Sequence, residues 1–232
     1  MNALIKKGML VTALAMSVNT AMAAQSIDIK VTGKILPSSC TPAFPSGGGV
    51  ADFGTMKVSS LNSTSVTPLA DMKEIPVTIT CEEATRVAVK FTDSRDDSSP
   101  TESINVGNGF AGSPAYVFGL GLYNDKKIGA YTLAIPRTQG VNTNANGDSL
   151  YPMASVDAGK TWGTKGVDYL QITSNNSEIY GFSTERSGTG LSAQSKINFK
   201  VAVSATINPT NDLNVTDEVT LDGLTNVELV YL

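Results

Sequence analysis

The side chains that most often carry out chemistry are scarce or unpartnered in this 232-residue chain. Histidine is absent, so no imidazole is present to act as a general base or a metal ligand. The two cysteines, Cys40 and Cys81, fall short of the four N or S ligands of a structural zinc site, and no metal is expected. Serine, lysine and carboxylates are plentiful, but neither a Ser–Lys pair nor a paired-carboxylate arrangement has a local signature, so the chain does not read as an enzyme. The run Gly107-Asn108-Gly109-Phe110-Ala111-Gly112 has the spacing of a dinucleotide loop. That chemistry needs a helix leading out, so that the pyrophosphate meets its N-terminus. Ser113-Pro114 and a further strand-like run follow instead, so the stretch reads as a turn. The loop Asn142-Thr143-Asn144-Ala145-Asn146-Gly147-Asp148 resembles the opening half of a calcium loop. It lacks the leading aspartate, and Met153 stands where the closing bidentate glutamate belongs. No cofactor is expected. Trp162 is the single tryptophan, set in Asp157-Ala158-Gly159-Lys160-Thr161-Trp162-Gly163. Such a ring can stack on a sugar or a partner, or fold back as a lid on the core; both readings stay open.

Lys6 and Lys7 precede an apolar run from Met9 to Val18, too short for the roughly 20 residues that span a bilayer. Ala21-Met22-Ala23 then gives the small-x-small pattern of a signal-peptidase site. Residues 1–23 are expected to be a signal peptide, and 24–232 one exported domain placed in the periplasm or at the cell surface. Two cysteines in an oxidising compartment predict a disulfide, which closes a loop of about 40 residues and stabilises by roughly 4 kcal/mol in the chain-entropy model. With 17 basic and 21 acidic residues and no basic run, the chain suits neither nucleic acid nor an anionic membrane. No later stretch is long enough to insert into a bilayer.

The elements that must position these residues are strands. Ile27, Ile29, Val31, Gly33 and Ile35 alternate with polar residues over Ile27–Leu36, the period of a strand. Ile75–Cys81, Arg86–Phe91, Ala115–Tyr123, Lys127–Ile135, Tyr169–Thr173, Ile179–Thr184 and Ile197–Ile207 carry the same kind of signal, and Asn124-Asp125-Lys126 has the chemistry of a hairpin turn. No window holds an amphipathic helix of three turns. The chain reads as all-β, a sandwich of two antiparallel sheets, with an extended loop region over Pro136–Gly166.

The chain closes with LDGLTNVELVYL, placing Val227, Leu229 and Tyr231 on one face and Glu228, Val230 and Leu232 on the other. Export, an early alternating strand, a cysteine pair joining the first two strand regions and a penultimate tyrosine together resemble a subunit of chaperone–usher fimbriae. Val117–Leu133 (VFGLGLYNDKKIGAYTL) and the stretch from Asp157 to Trp162 resemble a narrower group, the pilin-like periplasmic proteins that accompany fimbrial systems. The resemblance implies an immunoglobulin-like sandwich lacking its last strand. A periplasmic chaperone lends that strand, and a neighbouring subunit's N-terminal extension later replaces it. It also implies an outer-membrane usher and other fimbrial subunits as partners. Val227 and Leu229 would wall the groove, Tyr231 would pack on the chaperone strand, and the Leu232 carboxylate would be gripped by chaperone basic residues. Ile27, Ile29, Val31, Gly33 and Ile35 would be the donor face, or the face of the protein's own first strand. The long Pro136–Gly166 region suits a minor or accessory subunit better than a shaft subunit. The alternative is a self-contained binding module or adhesin that recognises a glycan or protein through its loops.

Overall fold

The computed structural model describes residues 29–34 and 39–232. The expected signal peptide over residues 1–23 lies outside the described residues, as do Ile27 and Ile35. The chain divides into two compact units, Met1–Leu36 and Pro37–Leu232. In the first, residues 29–34 belong to no helix or strand, and Ile29 and Val31 are 89% and 91% exposed. The strand expected over Ile27–Leu36 is therefore corrected across its described residues. Alternation makes a strand only where a neighbouring edge takes up the backbone hydrogen bonds, and these residues pair with none.

In the second unit the strands are, in chain order, β1 Cys40–Ala43, β2 Thr67–Pro68, β3 Lys73–Thr85, β4 Val87–Asp93, β5 Phe118–Gly119, β6 Leu122–Tyr123, β7 Lys126–Lys127, β8 Gly129–Pro136, β9 Thr143–Asn144, β10 Tyr151–Ser155, β11 Tyr169–Gln171, β12 Ile179–Ser183, β13 Gln194–Ile207 and β14 Thr225–Tyr231. One sheet runs β1-β3-β13-β8-β11, and the other runs β10-β12-β4-β14. Their ladders are antiparallel. A constant-type immunoglobulin sandwich orders its strands A-B-E-D in one sheet and C-F-G in the other. Here β1, β3, β13 and β8 take places A, B, E and D, while β4 and β14 take C and F. Among the described residues, no strand stands at place G beside β14. The fold is thus an all-β, immunoglobulin-like sandwich, closed by the Cys40–Cys81 disulfide where β1 and β3 pair.

The inward residues of each strand build the core. Val87, Val89 and Phe91 of β4 face Phe199, Val201 and Val203 of β13 across the sandwich, every one of them buried. Phe182 of β12 meets Phe199 with ring centroids 5.0 Å apart, a contact that locks one sheet on the other. The expected hairpin forms as β6–β7, with Asn124 (φ 46°) and Asp125 (φ 61°) as its two turn residues and Lys126 already in the ladder. Both occupy the left-handed region, as a turn matching strand twist requires.

Strand alternation alone leaves the outer faces of the sheets to solvent, yet parts of both are covered. Ala130, Thr132 and Ala134 of β8 and Ala202, Ser204 and Thr206 of β13 are fully buried. They are small, which lets Val106 and Val117 of the intervening loop lie close on Ala130. The Ser204 hydroxyl donates to Val106 O and accepts from Asn108 Nδ2, each at 2.8 Å. The Gly107–Gly112 motif thus lies in a turn over this sheet, and the chain leaves it for β5 without an intervening helix.

The Pro136–Gly166 region is not the extended loop expected from its composition. It contributes β9 and β10, and β10 pairs with β12 over Tyr151–Ser155. Pro152 hides this strand from sequence patterning, but β10 is an edge strand, where a residue without a backbone donor is tolerated. Met153, Leu150 and Ser155 are buried. Asn144 closes the neighbouring turn through its own side chain, its Oδ1 accepting from the Asn146 and Asp148 amides at 2.9 and 3.0 Å.

Candidate strand-accepting groove

β14 ends the second sheet, and β1 ends the first. Beside β14 the sandwich is open along a groove of about 900 Å³. Its floor is apolar, formed by Val77, Phe91, Leu133, Val201 and Val203, and the segment from Phe44 to Leu61 forms one lip. Phe44, Val50 and Val58 on that lip are exposed. The opposite lip is β14, whose Val227 and Leu229 pack partly buried on the core.

The ladder on β4 determines which backbone groups of β14 remain free. Leu232 N–H donates to Arg86 O at 3.3 Å, and Ser94 N–H donates to Leu224 O at 2.9 Å. In an antiparallel ladder the bonded pairs alternate, so Asn226, Glu228 and Val230 aim their N–H and C=O groups at β4. Thr225, Val227, Leu229 and Tyr231 aim theirs outward, and among the described residues no strand takes them. An unpaired edge beside an apolar trough is a template for an added strand.

The ends of the groove differ. At the Tyr231 end, the phenol hydroxyl accepts Cys40 N–H at 2.8 Å and donates to Cys40 O at 3.3 Å. This clasp joins the free edges of the two sheets beside the disulfide. At the other end Val219, Leu221 and Leu224 continue the lining past Thr225. Tyr131 rises into that end with its hydroxyl 2.7 Å from Thr225 Oγ1, and burial pushes its phenol well above the usual range. Gly223 lies against this ring, where a Cβ would stand 2.7 Å from Tyr131 Cε1.

Trp162 lies on the outer face of the second sheet. It covers Ala88, Met153, Ile179, Leu191 and Val230 and donates its indole N–H to Gly159 O at 3.0 Å. Leu232 reaches the same loop, since a Cβ on Gly159 would fall 2.6 Å from its Cδ2. Asp157 holds the loop. Its carboxylate accepts the Thr161 hydroxyl at 2.6 Å, the Thr161 amide at 2.9 Å and the Ser155 hydroxyl at 2.8 Å. These bonds, led by the Thr161 hydroxyl, pull the Asp157 carboxyl down to about 2.

Of the residues singled out from the sequence, Val227, Leu229 and Tyr231 lie on β14 with Leu232 directly after it, and Cys40, disulfide-bonded to Cys81, meets that strand through the Tyr231 clasp. Ile29, Val31 and Gly33 are exposed. Sequence reasoning missed the Phe44–Leu61 lip, whose only signal was an apolar scatter between turns. It also missed the Cys40 backbone as a partner of Tyr231. Among the described residues, no helix is long and apolar enough to cross a membrane, and no group of three or more acidic or Cys side chains could hold a metal ion.

The family described as protein of unknown function DUF1120 matches residues 29–132. An uncharacterised protein of Escherichia coli strain K12, YhcF, is 31% identical over 224 residues, covering 89% of this chain and 90% of that one. The chain belongs to the DUF1120 family. The protein GltF of the same strain is 28% identical over 241 residues, covering 95% of this DUF1120 chain and 94% of its own length. In a solved chaperone–usher pilus structure concerned with rod uncoiling, one chain aligns over 91% of this chain and 98% of its own, at 12% identity and a TM-score of 0.32. The architecture assigned to this DUF1120 chain rests on its strand order, not on that alignment.

Proposed function

We propose that the chain is a minor or accessory subunit of a surface fibre, completed by a strand from another protein. The observation that carries this reading is the outward-facing backbone of Thr225, Val227, Leu229 and Tyr231 beside an open apolar groove at place G. An immunoglobulin-like sandwich that stops at F leaves both apolar surface and hydrogen-bonding groups unsatisfied. A donor strand supplies both at once. Before assembly, a periplasmic chaperone fills the groove and an outer-membrane usher receives the complex; in the fibre, a neighbouring subunit fills it. The N-terminal segment supplies the reciprocal half. Ile29 and Val31 are apolar, alternate with lysine and threonine, and are exposed, the pattern of a strand awaiting an edge. The chain therefore acts as a binding partner and not as a catalyst, exported to the periplasm or cell surface.

The test is co-expression of the secreted chain with a chaperone of a fimbrial system, followed by purification through the chaperone. The reading predicts a one-to-one complex that is lost when Val227 is changed to Asp, which puts a charge on the groove wall. A high-melting monomer that no chaperone captures would refute it.

A further inference from the structure

The groove is apolar on its floor and charged at its mouth, and the charge there has one sign. Asp52 on the Phe44–Leu61 lip, and Asp217 and Glu218 on the chain leading to β14, line the groove and are exposed, whereas no lysine or arginine lines it. Asp52 Oδ1 accepts Gly54 N–H at 2.7 Å, and Asp217 Oδ2 accepts the Thr216 hydroxyl at 3.0 Å, so their partners are neutral and local. Among the described residues the ion pairs are Arg95–Asp222, Lys165–Glu178 and Lys200–Glu74, and none of the three groove carboxylates takes part. Two cations belong to the lip or pack against it. Lys57 lies on it, and Lys73 Nζ stands 5.7 Å from the Phe53 ring centroid, but neither lines the groove.

A strand that enters with its apolar face down presents its alternate side chains at the mouth. Three carboxylates there favour an occupant whose outward residues are cations and disfavour one whose outward residues are acids. Residues 29–34 of this chain, IKVTGK, have that arrangement. Ile29, Val31 and Gly33 share one face, and Lys30, Thr32 and Lys34 share the other. The two lysines are four steps apart, about 13 Å at roughly 3.3 Å per residue. All six residues are exposed and belong to no strand, and among the described residues neither lysine is in an ion pair.

Resting on the proposed strand-accepting function, we infer that Asp52, Asp217 and Glu218 are specificity-determining residues of the groove. Their charge selects a strand with basic outward residues, and the occupant they select is residues 29–34 of a second copy of this chain. Main-chain pairing to Thr225 and Val227 and burial of Ile29 and Val31 supply affinity that any alternating strand would supply. Pairing of Lys30 and Lys34 with the carboxylates at the mouth supplies the choice among strands. Segment and groove are different parts of one chain, so the contact between copies is head-to-tail.

The experiment uses the full secreted chain at low concentration and a fluorescent peptide of Ser26–Leu36, SIDIKVTGKIL, with binding read by anisotropy. Two further peptides carry Lys30→Gln with Lys34→Gln, or Lys30→Glu with Lys34→Glu; all three keep the same apolar face. The wild-type chain binds the lysine peptide about fivefold tighter than the glutamine peptide, the scale of two exposed ion pairs, and the glutamate peptide more weakly again. In about 1 M salt, where the Debye length falls to about 3 Å, the differences close. A chain with Asp52→Asn, Asp217→Asn and Glu218→Gln binds the three peptides within about twofold of one another. Equal binding of the three by the wild type at low salt, or a ranking that survives in the neutralised chain, would overturn charge selection while leaving the groove's function standing. Failure of every peptide to bind either chain would overturn the groove reading and the selection with it. The second copy is tested by sedimentation of two full-length variants. Val227→Asp spoils the groove and keeps the segment, whereas Lys30→Glu with Lys34→Glu spoils the segment and keeps the groove. Each alone should stay monomeric, and the mixture should form a dimer. Absence of a complex on mixing, with peptide binding intact, would overturn the second copy as the occupant.

Discussion

Changing Met153 to Ala tests whether the Pro136–Gly166 region is structural, which its composition denies and its pairing asserts. Met153 is fully buried in β10, under Trp162 and beside Ala88, Leu191, Ile179 and Val230. The change removes three heavy atoms from a site closed on one side by the sheet and on the other by the indole. Truncations of buried Met to Ala cost about 2–5 kcal/mol, set by how far the site collapses. Trp162 rides on a loop that can settle inward, so a value near the lower end, about 2–3 kcal/mol, is expected. For a domain of this size that lowers Tm by roughly 4–12 °C. The assay is urea unfolding followed by the fluorescence of Trp162, the only tryptophan. The midpoint should fall with the slope unchanged, the mark of lost stability without a change in the unfolded chain. A loss under about 0.5 kcal/mol, the range of an ordinary surface substitution, would refute the reasoning and return β10 and its flanks to the status of a dispensable loop.

The Trp162 loop should respond to acid through Asp157. The folded-state carboxyl is lowered to about 2 from an ordinary value of 3.8, so its contribution is fully present above about 4 and is lost as pH falls through about 2; Trp162 emission should track that window, and Asp157→Asn should abolish the dependence. At the open end of the groove, Gly223→Ala should cost about 1–3 kcal/mol, because the added Cβ would stand 2.7 Å from the Tyr131 ring and overpacking carries that penalty. Thermal unfolding checks it, and a Tm equal to wild type would show that the ring moves aside freely.

The strands that were legible in the sequence are those buried on one face. Val87, Val89 and Phe91 face the core along β4 while Ala88 between them joins the outer cluster, and Val227, Leu229 and Val230 divide between core and outer cluster as their period requires. The disulfide was legible because two cysteines in a chain whose sequence predicts export leave one pairing. β10 was not: Tyr151-Pro152-Met153-Ala154-Ser155 has a proline where pattern reasoning expects a donor, and only its place at the sheet edge makes that harmless. Ile27–Leu36 failed the other way. Its alternation is clean, yet residues 29–34 belong to no strand and Ile29 and Val31 are exposed. Local pattern records what a segment can become, whereas pairing depends on a partner that local sequence does not contain. The groove was legible only at its β14 wall. The opposite lip, Phe44–Leu61, has no period, because it lies along the groove as irregular chain and two short 3₁₀ turns.

The measurement that bears most directly on strand acceptance is amide hydrogen exchange along β14, with and without the Ser26–Leu36 peptide. The outward amides of Val227 and Leu229 should exchange rapidly in the isolated chain, while those of Glu228 and Val230, bonded to β4, should be protected. Saturating peptide should slow the outward pair at least a hundredfold and leave the inward pair little changed. Protection of Val227 and Leu229 in the isolated chain at low concentration, unchanged by the peptide, would mean that the edge is already paired and would contradict the account.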